Sequence, residues 1–137
     1  MRRRTKWALG GLATLGLAAA LLHKWLIALV AIAYVLVNDP FNDNRFDAAL
    51  WHASRKSVDA DNPRGPMAAD VIQRLRREQA SRERTLELLG APDWPGCPPA
   101  RICYMLGMWS GFRMDYDSLE IEHDAQGRFL TAYTVQH

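Results

Sequence analysis

The stretch RMDYDSLEIEHDAQGRFLTAYTV, residues 113–135, decides the fold. Leu119 and Ile121 alternate with Glu120 and Glu122, the period-two pattern of a strand with one apolar face and one wet face. DAQG follows as a compact turn, with Gly127 suited to positive φ, and RFLTAYTV is a second strand-like run. The segment therefore predicts an antiparallel hairpin of strands at 113–123 and 128–135. ICYMLG, residues 102–107, adds a third strand upstream.

Two helices precede the strands. In PMAADVIQRLRREQA, Pro66 suits a first helical position, and Met67, Val71, Ile72 and Leu75 make one stripe opposite arginines. SRERTLELLGAPDWPG opens on Ser81, a good N-cap, presents Leu86, Leu88 and Leu89, and stops at Gly90 with Pro92 behind it. The prediction for residues 66–137 is an α+β domain, two helices packed on a three-stranded antiparallel meander. Residues 38–65, rich in Asn, Asp, Pro and Arg, read as a linker carrying one short amphipathic segment, FDAALWHAS.

The chain has 137 residues, so one domain plus an anchor or tail is expected. Its charge is divided sharply. Arg2, Arg3, Arg4, Lys6 and Lys24 are the basic residues of the first 24 positions, and all fifteen acids lie at Asp39 or later. Removing those five from seventeen leaves twelve basic against fifteen acidic residues in the remainder. The basic pI therefore belongs to the N-terminal tip and gives no support to nucleic acid as a partner, which would want a basic patch on the folded part.

From Trp7 to Val37 the strongly polar residues are His23 and Lys24. As one helix this run would be roughly 46 Å long, against a hydrocarbon core of about 30 Å. Split at His23 and Lys24 it leaves two pieces short for a hairpin of spans, without a turn between them. The economical reading is a transmembrane helix over about residues 19–37, within an anchor region 1–37. Lys24 and Trp25 then sit at the cytoplasmic interface together with the basic tip, Arg2, Arg3, Arg4 and Lys6. A two-span hairpin and a cleaved signal ending near Ala18, Ala19 and Ala20 are the alternatives. The basic flank places the N-terminus in the cytoplasm and the C-terminal domain in the periplasm of a bacterium, a single-pass inner-membrane topology. The bilayer is then one partner of the chain. No cysteine lies near the end of the apolar run to carry a lipid.

Cys97 and Cys103, in GCPPARICY, are the chain's two cysteines. Their spacing matches neither a zinc site nor a thioredoxin motif. In an oxidising compartment a disulfide across this short loop would pin the connection from helix to sheet; the alternative is two separate thiols.

RGPMAADVI, LLGAPD, CYMLG and MDYDSLEIEHDAQGRF, in that order and spacing over about residues 64–135, resemble the SmpA/OmlA, or BamE-like, envelope domain family. The resemblance implies a two-helix, three-strand fold, related to half of a β-lactamase-inhibitor-like domain, and a non-enzymatic role in envelope protein assembly. Two positions depart from the family's pattern: Thr85 and His123 stand where apolar or aromatic residues are more usual.

Asp115, Asp117, Glu120, Glu122 and Asp124 alternate along a strand and do not converge as a calcium loop would, so a solvated sheet face is expected. His52, His123 and His137 fall in no catalytic motif, and neither a metal nor another cofactor is expected. Trp94, Trp109, Phe112 and Arg113 are the candidate partner-binding residues, because MLGMWSGF puts aromatics into a loop between strands. The competing reading folds Trp109 and Phe112 back over the core. The function expected is that of an anchored periplasmic interaction or scaffold module, not an enzyme, acting on an unidentified envelope protein. The alternative is a small inhibitor or regulator that docks on an envelope enzyme, an analogy of fold alone.

Overall fold

The computed structural model describes residues 20–34, 39–57 and 59–137 and divides into two compact units, 1–39 and 40–137. In the first unit, residues 20–34 form helix α1, exposed along its whole described length. Lys24 and Trp25 lie on it, whereas Arg2, Arg3, Arg4 and Lys6 lie outside the described residues. Among the described residues no helix is long and apolar enough to cross a membrane. The described part of α1 would be roughly 22 Å long at about 1.5 Å per residue. The span expected over 19–37 extends beyond it at both ends, at position 19 and at positions 35–37.

The second unit is α+β. It contains helices α2 (Ala48–Ala53), α3 (Arg64–Glu78) and α4 (Arg82–Leu89), then strands β1 (Arg101–Gly107), β2 (Asp117–His123) and β3 (Phe129–Gln136). The strands form one antiparallel sheet in the order β1-β2-β3, with Ile102 opposite Ile121 and Ile121 opposite Ala132. Ile102, Tyr104 and Leu106 of β1 and Leu119 and Ile121 of β2 meet Met67, Val71 and Leu75 of α3 and Leu89 of α4 in one core. Gly127 takes φ 76° in the β2–β3 turn, and Asp124 closes that turn by accepting from the Gln126 and Arg128 amides at 2.9 Å.

Helix α4 starts where expected, with the Ser81 hydroxyl accepting from Arg84 N at 3.2 Å. Helix α3 starts two residues before Pro66. Asn62 Oδ1 accepts from Arg64 N at 3.1 Å, so Asn62 supplies the cap that Pro63 cannot. Strand β2 starts at Asp117, not at 113, because the Asp117 carboxylate turns back to the Trp109 and Ser110 amides and closes 108–116 into a loop.

Residues 40–65, expected as linker, are folded into the second unit. Trp51 on α2 is fully buried, its indole N–H donating to the Leu89 carbonyl at 3.2 Å, and Phe46 meets it edge-on at 5.9 Å. The polar residues that suggested a linker make turns and caps instead. Asp47 caps α2, while Asn62 holds the Ser54 and Ser57 carbonyls.

The second face of the sheet is likewise less open than the alternation implies. Glu120 is only 3% exposed. Arg101 covers it at 2.5 Å and reaches Glu122 at 2.8 Å, and the His137 ring lies 4.0 Å away. The acid alternates as predicted, but the chain's own segments lie over it.

Candidate functional site

The loop between β1 and β2 brings three of the four candidate residues together. Its base is Asp117, almost fully buried. The carboxylate accepts from Trp109 N at 2.6 Å, from Ser110 N at 2.9 Å and from Ser110 Oγ at 2.5 Å. A buried carboxylate with three donors is well compensated, and it fixes the start of the loop.

Trp109 folds back, as one of the two readings had it. Its indole N–H donates to the Asn62 and Leu106 carbonyls at 3.0 and 2.9 Å, and its ring lies so close on Gly65 that a methyl group there would overlap it. Arg113, at φ 57°, places its guanidinium 5.1 Å from the Trp109 ring centroid. It donates to the Met108 carbonyl at 2.7 Å and pairs with Asp61. Phe112 does not fold back. It is 93% exposed, and Met114 beyond it is 76% exposed. A rigid root thus presents two bare apolar side chains.

Trp94 lies apart from this tip, over the second sheet face. It stacks on His137 at 4.6 Å and meets Tyr116, at the base of the loop, at 6.1 Å. The segment that carries it is pinned to β1. Asp93 N and Trp94 N donate to the Cys103 carbonyl at 3.1 and 3.3 Å. Cys97 and Cys103 form a disulfide with a Cα–Cα distance of 5.6 Å.

Two polar clusters join residues whose contact no spacing in the sequence discloses. Arg64 and Asp93 form a fully buried ion pair at 2.6 Å. Arg64 also donates from Nε to the Trp51 carbonyl at 2.7 Å and lies 4.8 Å over the Trp51 ring, while Asp93 accepts from Met105 N at 3.0 Å. The Tyr104 hydroxyl, donating to the Gly90 carbonyl at 2.7 Å, lies beside this pair, and burial raises its pKa. The second cluster joins Thr85 and His123. Thr85 Oγ1 lies 3.2 Å from His123 Nε2, which also meets the Ala80 carbonyl at 3.2 Å. Burial holds the His123 pKa below its usual value. Both clusters join elements distant in sequence; the Arg64–Asp93 pair is closed inside the domain, whereas His123 is half-buried with its Nδ1 enclosed.

A shallow cleft of about 440 Å³ on the outer side of α3 is lined by Asp70, Arg74, Arg77 and Glu78. Arg74 is already paired with Glu78 at 3.0 Å, which lowers the Glu78 pKa. Among the described residues no group of three His, Cys, Asp or Glu side chains is placed to hold a metal ion. Comparison of the chain with protein-family models, curated proteins and solved structures gives no match.

Proposed function

We propose that the chain is a bacterial inner-membrane protein with its N-terminus in the cytoplasm and its 40–137 unit in the periplasm, where that unit acts as a non-catalytic interaction or scaffold module with a SmpA/OmlA-like domain. The observation that carries the reading is α1. Nine large apolar or aromatic side chains between Leu21 and Tyr34 are 50–71% exposed, and they surround the helix instead of lining one stripe. A helix apolar on every side belongs inside a large core or in a bilayer, not in water. The Lys and Arg excess on its N-terminal flank and the acids after Val37 supply the orientation. The Cys97–Cys103 disulfide agrees with an oxidising compartment.

The interaction role is supported by two surfaces of the unit, the Trp94 segment over the second sheet face and the β1–β2 loop, whose preorganised root and bare tip are the features of a contact surface. Crosslinking in intact cells from a photoreactive residue on the domain tests the role. Recovery of a membrane-embedded complex of several proteins is expected. Recovery of one enzyme, inhibited when bound, would replace the scaffold by the inhibitor, and a chain found wholly in the soluble fraction would remove the reading.

A further inference from the structure

We infer that the tip of the β1–β2 loop, Phe112 and Met114, is a second membrane contact that seats in the interfacial layer of the bilayer. The inference rests on the reading of α1 as part of an anchor and names what the loop touches.

Three observations converge on it. The first is chain length. Two residues separate Val37, the end of the apolar run, from Pro40, the start of the folded unit. Even fully extended, three steps of chain reach only about 10 Å. With residues 40–65 folded into the unit no long linker remains, so a domain tethered in this way works at the bilayer surface.

The second observation is position within the domain. The entering chain lies on the first turns of α3: Asn44 N donates to the Pro66 carbonyl at 3.0 Å and Ala69 N to the Phe41 carbonyl at 2.8 Å. Trp109, the root of the loop, is seated on Gly65, one helical turn before Ala69 on the same side of α3. Arg113 is tied to Asp61, just before the helix. The chain's point of entry and the apolar tip therefore spring from the same end of the domain. The β2–β3 turn lies at the other end, where the Gly127 carbonyl accepts from Arg82 N at 2.8 Å. Helix α3 separates the ends by 15 residues, roughly 22 Å.

The third observation is chemistry. Among the described residues of the 40–137 unit, Phe112 and Met114 are the two most exposed large apolar side chains, yet they stand on a loop whose base is held by hydrogen bonds. Bare apolar groups on a preorganised base gain from an apolar medium without a further ordering cost. A bare phenyl ring suits shallow burial at the boundary of headgroups and acyl chains. Arg113 is paired with Asp61, and Asp115 follows, so the tip has no excess of positive charge to demand anionic lipid.

The test places a benzophenone amino acid at one site at a time in the full chain, reconstituted in nanodiscs of phosphatidylethanolamine and phosphatidylglycerol. The sites are Leu29 on α1, Phe112 at the tip, and Gln126 in the distant turn. Lipid adducts at positions 29 and 112, with none above background at 126, are the expected result. Adducts at 29 with position 112 as silent as 126 would overturn the membrane contact and leave the anchor standing. Silence at 29 would remove the anchor and the inference with it. An adduct of twice the chain mass at 112, in place of lipid, would assign the tip to a second copy and overturn the proposal.

Discussion

His123 shows at the scale of one residue how this small core uses polar groups. Its bond to the Ala80 carbonyl requires the proton on Nε2, and Nδ1 is buried with no hydrogen-bond partner among the described residues. Protonation would place a second proton on Nδ1 inside the domain. Burial lowers the His123 pKa first of all; the Ala80 carbonyl and the charges of Glu83 and Asp124 act against this, and Arg82 acts with it. The unfolded chain, with a histidine pKa near 6.5, therefore takes up the proton before the folded chain does. The His123 contribution is intact above that value, is lost as pH falls from about 6.5 through the lower folded value, and changes no further below it. Urea titrations of the wild type and of H123F at pH 7.5 and 5.5 check the sign: the wild type should lose ground to H123F on acidification, and parallel losses would contradict the account. Gly65 permits a different test. A methyl group there overlaps the Trp109 ring, so G65A should destabilise the domain by about 1–3 kcal/mol in urea, the usual cost of overpacking.

The elements differ in how far the sequence discloses them, and the difference follows the range of the interactions that define them. Strands β1 and β3 and the cap of α4 are local: alternation, a turn glycine and a serine before a leucine run are all visible within ten residues. The start of β2 lies later than alternation predicts because it depends on the Asp117 carboxylate reaching back to Trp109 and Ser110. The start of α3 depends similarly on Asn62, and the buried Arg64–Asp93 pair joins residues 29 apart. Of the candidate site, the aromatic loop itself was legible. That Trp109 would fold inward and Phe112 outward was not, since nothing in WSGF distinguishes the two rings before Gly65 is placed beneath one of them. The segment 93–97 depends on its disulfide. C97S/C103S should lower stability by about 2 kcal/mol, the loop-closure value for so short a ring. Amide exchange should locate the loss: Asp93 and Trp94, bonded to the Cys103 carbonyl, should exchange faster while the β2–β3 ladder keeps its protection.

At the scale of the molecule, the structure moves the boundary of the folded unit from 66 to 40. Composition misleads there because Asn, Asp and Pro serve caps and turns as readily as linkers. Trp51 makes the consequence measurable. It is fully buried against Tyr104 at 5.7 Å and against Arg64, so W51A should cost about 3–5 kcal/mol, a core value that no linker residue would show. The central claim is that α1 belongs to a membrane anchor that leaves the 40–137 unit outside the cytoplasm. Paired reporters fused after His137, one active only outside the cytoplasm and one only within it, test that claim most directly. The account predicts activity from the first and silence from the second, and the reverse result would contradict it.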